Sequence, residues 1–249
     1  MMSQEVRTTL THEESSAEMK PSVHLENVKR IGTALVFIVF PLLWVFAFAV
    51  HPGLLNPHRL TVPEEILRAH GNALLAFGHV LTIFGAALMI VVTIHYMNLL
   101  RRGWVAWAGF IGAALTVLGA IALAAEKGAE SLTISALDTL PQHTFAQMMP
   151  GLVAIFSHQG AMVVVSGVYL IAIGLSIQAI ALFASNVIPR WQSVFLLISF
   201  WLMGWGDGGE EIISLCGAIL LAAALIPYGI QLIRNKTLQS DTSEARNAT

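Results

Sequence analysis

Charge and thiols are what this sequence has least of. Only 11% of its 249 residues are charged, against about a quarter in an ordinary soluble domain. So few charges do not cover a water-exposed globule of this length, and a soluble single domain is excluded. Cysteine occurs once, as Cys216. A lone thiol excludes an intramolecular disulfide and any multi-thiol metal or iron–sulfur centre, and inside an apolar run it reads as a small packing residue. Catalytic signatures are also missing: there is no His-Glu-x-x-His, no Gly-x-Ser-x-Gly elbow and no P-loop. The glycine-rich run from Gly204 to Gly209 falls in a short turn, without the strand–helix context that phosphate cradling needs. No basic stripe is present, which excludes nucleic acid as a partner.

Long hydrophobic runs take the place of these features. Apolar residues make up 56% of the chain, and a bilayer core of about 30 Å is crossed by about 20 of them in a helix. Six segments meet or approach that length: Ile31–Val50, Ala73–Leu99, Trp104–Ala125, Leu152–Ala184, Trp191–Trp205 and Ile212–Ile233. The expected fold class is therefore all-α, a polytopic six-helix bundle over residues 31–233, with the lipid bilayer as its first partner. Polar tails, 1–30 and 234–249, are expected to be disordered by composition. No apolar run opens the chain, so no cleavable signal peptide is expected and the first segment would serve as an uncleaved anchor.

The basic residues set an orientation. Arg7, Lys20, Lys29, Arg30, Arg101, Arg102, Arg190, Arg234, Lys236 and Arg246 fall on one side of the six segments, and only Arg59, Arg68 and Lys127 on the other. The positive-inside rule then places both termini in the cytoplasm of a plasma (inner) membrane protein. The opposite face is acidic, with Glu64, Glu65, Glu126, Glu130, Asp138, Asp207, Glu210 and Glu211. The orientation rule alone produces that imbalance, although an acidic face would also concentrate cations.

Segments two and four show a partial repeat at an offset of about 89 residues. Each pairs a histidine (His70, His158) with glycines seven residues apart: Gly78 and Gly85, Gly167 and Gly174. Gly112 and Gly119 repeat the spacing in segment three. A parallel duplication of helix pairs 2–3 and 4–5 would explain this, and the inverted repeat of many transporters is missing. Seven-residue spacing lays small residues along one seam of a left-handed crossing, and close backbone approach is a main source of helix association in lipid. A tightly packed bundle is sufficient reason for these glycines.

Nine histidines remain, and an ionisable side chain in a membrane helix is a functional candidate by default. Three readings follow. A pair among His70, His79 and His158 would ligate haem b or a metal ion near the outer face, giving a redox subunit. Alternatively, His79 would relay protons or cations, with Glu126, Asp207 and Glu210 at the outer mouth, as in a transporter or channel-like protein. In the third, these residues are caps and packing groups, and the chain is an accessory subunit of a membrane complex or a homo-oligomer, with no enzymatic activity of its own. The redox reading is the sharpest of the three. The loop from Glu126 to Gly151 is expected to lie on the outer surface as a helix-like cover, and with the Gly53–Glu65 loop to form a lid over the outer ends of segments two and four.

Overall fold

A computed structural model describes residues 23–51, 53–54, 60–157, 159–206 and 211–247. Its elements are all helical: α1 (Val23–Ala49), α2 (Val62–Ala69), α3 (Ala73–Leu99), α4 (Gly103–Leu137), α5 (Gln142–Ser157), α6 (Gln159–Ser185), α7 (Arg190–Gly206) and α8 (Glu211–Asn247). Among the described residues five segments are long and apolar enough to cross a membrane: Leu25–Ala49, Ala73–Leu99, Gly103–Leu137, Gly167–Ser185 and Glu211–Arg234. The chain is a helical membrane bundle. α7, at 17 residues, falls just short of that length but packs along α6 and α8 as a full member of the bundle.

Helix ends follow local chemistry. Thr61 precedes α2, and its backbone N–H and hydroxyl both donate to the Glu64 carboxylate at 2.8 Å, the reaching-back half of a capping box. Asn72 caps α3 by accepting from the Leu75 N–H at 3.1 Å. Between them Gly71 takes φ +71°, a conformation that glycine adopts freely. The α6–α7 turn uses Asn186 at φ 54°, one of the few side chains that tolerate it, and its Oδ1 accepts from Arg190 Nε at 2.7 Å.

Several boundaries differ from the sequence expectation, and two of them extend helix into the polar tails: α1 begins at Val23 rather than Ile31, and α8 runs to Asn247 rather than ending at Ile233. α4 continues past Ala125 to Leu137, because no proline interrupts it and Lys127 pairs with Glu130 one turn on at 3.0 Å, a spacing that supports helix. The fourth expected segment is divided, its first residues belonging to α5 and the remainder to α6.

The six long helices form a closed ring in chain order. α1 packs on α3, α3 on α4, α4 on α6, α6 on α7, α7 on α8, and α8 returns to α1. Across the ring α3 and α6 touch weakly, α1 reaches α7 through the Trp44 and Phe200 rings, and α3 reaches α8 through His95 and Tyr228. Phe37, Phe40 and Trp44 of α1, Met89 and Tyr96 of α3, Leu175 and Leu182 of α6, Leu196 and Phe200 of α7, and Leu221 and Leu225 of α8 are buried in one core. Phe84, Trp107, Leu118 and Ile180 point outward and exposed, as lipid-facing side chains do. α2 and α5 cover one end of the ring, held by a smaller core of Ile66, Leu137, Phe145 and Leu152.

The tightest seam joins α4 to α6. A Cβ on Gly112 would lie 2.6 Å from the Gly174 carbonyl oxygen, and one on Gly119 would lie 2.7 Å from the Ile171 nitrogen. Gly174 and Gly167 face back, the first against Thr116 and the Gly112 carbonyl, the second against Ala122. Gly78 and Gly85 face α1 instead, at Val50 and Trp44. Two close approaches lie outside the heptad pattern: Gly217 on the Ser199 carbonyl and Gly229 on the Ala34 carbonyl. Beside the α4–α6 seam, fully buried Gln178 accepts from Thr93 Oγ1 at 2.7 Å and donates to the carbonyls of Thr93 and Gly109 at 3.0 and 3.1 Å. Three helices are tied there by an amide with its donors and acceptor engaged.

Candidate functional site: an ionisable lumen under the helical cap

Ring closure leaves a cavity at the end that α2 and α5 cover. All six long helices, or the residues next to them, line it: Trp44, Phe48 and His51 from the α1 end, His79 and Thr82 from α3, Lys127 from α4, Tyr169 from α6, Phe200 and Met203 from α7, and Glu211 from α8. The cavity measures about 120 Å³ and is open at its mouth, a size for a small ligand rather than a drug-sized one. The Trp44 ring meets those of Phe48 and Phe200 edge-on, with centroids 6.2 and 5.8 Å apart. Its indole edge rests on Gly85, where a Cβ would collide with it.

Ionisable groups gather at the mouth. His51 Nδ1 lies 3.2 Å from Glu211 Oε1, and Glu211 is buried. Gly53 approaches the same pair, its Cβ position being 3.1 Å from Glu211 Cγ, so the chain leaving α1 folds over the carboxylate. His79, also buried, points Nε2 at Glu130 Oε1, 3.8 Å away. The other Glu130 oxygen accepts from Lys127 Nζ at 3.0 Å, and Lys127 also pairs with Glu126 at 3.4 Å. Among the described residues three carboxylates thus stand against one ammonium, an excess of two negative charges while His51 and His79 are neutral. Isolated charges are expensive in a low-dielectric setting, and pairing of this kind lets them persist there. A second cavity, between cap and ring, shares His51 and Glu130 with this cluster and reaches His70, Asp138 and Phe145.

The predicted site residues separate as follows. His79 and Glu126 belong to the cluster. His70 closes α2 rather than opening α3. Its Nδ1 lies 2.8 Å from Asp138 Oδ1, which also accepts from the Gly71 N–H, and its ring stacks on Phe145 at 3.9 Å. His70 and His79 are therefore each turned to a different carboxylate. His158, Asp207 and Glu210 lie outside the described residues. Among the described residues no group of three or more His, Cys, Asp or Glu side chains is placed to hold a metal ion, and nothing in the described geometry favours the haem reading. Cys216 is exposed on α8.

Sequence reasoning passed over His51, Glu130 and Glu211 as site residues. Their signal was there: Glu130 stands one turn after Lys127, and His51 and Glu211 flank apolar runs. What the sequence lacked was the ring, which brings the end of α1 to the start of α8. It also missed the polar pair at the opposite end, where His95 Nε2 lies 2.9 Å from the Tyr228 hydroxyl, edge-on to Phe37 and beside buried Tyr96.

Comparison with known protein families, with curated proteins and with solved structures gave no significant match in any of the three. Any function rests on the site itself.

Proposed function

We propose that this chain is a six-span plasma-membrane protein, with both termini cytoplasmic, that handles protons or small cations through the lumen of its ring. The ten-to-three bias of basic residues supports the orientation and puts the capped end outside. The ring packing of α7 supports a sixth span, since tilt and local thinning of the bilayer accommodate a 17-residue helix. A parallel duplication is supported by the glycines of α3 and α6, which both face the preceding helix of the ring, α1 and α4 respectively.

The observation that carries the functional reading is the pair of imidazole–carboxylate contacts, His51–Glu211 and His79–Glu130, at the mouth of a cavity walled by all six helices. Imidazoles exchange protons near neutral pH, and buried ionisable groups in membrane helices mark proton and ion paths. Below the cluster the ring is filled by Phe40, Met89, Leu175, Leu196 and Leu221, and His95 with Tyr228 stands on the far side. Two polar stations separated by an apolar plug suit a gated carrier better than an open channel. Partners or a homo-oligomer are compatible with this reading and not required by it.

The test is proton flux into proteoliposomes carrying an internal pH indicator, driven by a potassium diffusion potential. Wild-type protein is expected to conduct or exchange protons, with His79→Ala and Glu130→Gln slowing flux several-fold while thermal stability holds. Flux equal to that of empty vesicles, or variants equal to wild type, overturns the reading. A haem absorption band in purified protein would likewise overturn it and return His70 and His158 to first place.

A further inference from the structure

We propose that the lumen is a binding site for a small alkylated organic cation, seated between the aromatic walls and the Glu211 carboxylate. This rests on the carrier reading above and names its substrate class.

The walls and the charge point the same way. Trp44, Phe48, Tyr169 and Phe200 line one cavity, and the faces of such rings attract cations, most strongly where water is excluded. The remaining lining is largely apolar, including Ala47, Leu123, Ile171 and Met203, which suits a ligand with greasy substituents and not a hydrated metal ion. Glu211 is buried at the same cavity, and among the described residues the mouth sets Glu126, Glu130 and Glu211 against Lys127. Lys127 also lines the cavity, but both of its neighbouring carboxylates hold it. An anion would meet these carboxylates, and a neutral apolar molecule would leave Glu211 without a use.

The same geometry couples cation to proton. His51 is the partner that a bound cation would replace at Glu211. A protonated His51 competes with the ligand for that carboxylate, and ligand entry favours release of the proton. The groups facing this exchange are His51 from the α1 end, His79 from α3, Glu126, Lys127 and Glu130 from α4, and Tyr169 from α6. No covalent step is involved, only displacement of one positive charge by another.

The experiment titrates detergent-purified full-length protein with tetramethylammonium and, as a compact anion control, tetrafluoroborate, following tryptophan fluorescence and proton release in weak buffer. Saturable binding of the cation alone is expected, weaker at acidic pH and accompanied by proton release. Glu211→Gln should weaken it about tenfold or more, the scale of one desolvated charge contact. Tyr169→Leu, at a lining ring that is half exposed and outside the buried core, should weaken it measurably at an unchanged melting temperature. Equal binding of both ions, or no effect of either substitution in folded protein, overturns the proposal. Proton flux in vesicles without cation binding removes this substrate class but leaves the carrier reading. Cation binding without any proton movement keeps the site and removes the carrier reading.

Discussion

The α4–α6 seam and the lumen mouth both bury polar groups inside long apolar helices, and they do so in opposite ways. At the seam the groups are neutral. Gln178 has both its donor and its acceptor engaged by Thr93 and backbone carbonyls, and glycine-to-backbone contacts leave no space. At the mouth the groups are charged, their contacts run from 3.0 to 3.8 Å, and a cavity adjoins them. A saturated neutral network fixes one arrangement. Charges with alternative partners beside open space permit several. The seam reads as the part that holds the ring and the mouth as the part that works.

Substitution should sharpen that contrast. The largest effect is expected at the seam: Gly112→Leu or Gly174→Leu forces a side chain into a neighbouring carbonyl, exceeding the roughly 1–3 kcal/mol of ordinary overpacking. Such variants should aggregate on size-exclusion chromatography, and monodisperse protein would show that the seam yields. Next comes Gln178→Leu, which strands Thr93 and the Gly109 carbonyl and should lower stability by about 1–3 kcal/mol, read as the melting temperature in detergent. Proton flux should survive it. Glu211→Gln should do the reverse, altering cation binding and flux with a smaller shift in melting, so an equal loss of stability at both places would erase the distinction.

Smaller effects belong to the cap. Asp138→Ala releases both the Gly71 N–H and the His70 ring and should loosen α2 by about 1 kcal/mol, seen as faster amide exchange confined to residues 62–71. The least is expected at Glu64. The Thr61 backbone N–H, and then its hydroxyl, hold this carboxyl below the ordinary carboxylate range. Its contribution to α2 is thus fully present above that range and fades as pH falls through the lowered value. Amide protection at the start of α2 should decline on acidification in wild type and be low and flat in Glu64→Ala.

Much of the architecture could be read locally. Hydropathy located the apolar runs because a helix must bury its backbone within itself to enter lipid, and the starts of α3 and α8 were placed within a residue or two. The seven-residue glycine spacing was visible, but not that Gly78 and Gly85 meet α1 while Gly112 and Gly119 meet α6. His79 and Glu126 stood out for their type. His51 and Glu211 did not, because each lies at the edge of an apolar run, where polar residues are ordinary. The end of α5 was hidden because Leu152–Phe156 were counted into one apolar run with α6, across the short polar stretch Ser157-His158-Gln159-Gly160.

By itself the sequence determined the class of protein, the course of most helices and the end of the bundle where acids gather, since length, hydropathy and charge act residue by residue. Only the tertiary structure decided that the helices close into a ring, that His51 meets Glu211 and His79 meets Glu130, and that a cavity remains among them. Those contacts depend on which helix faces pack together, and in a chain apolar on nearly every face that choice lies in the fit of small residues against distant backbone.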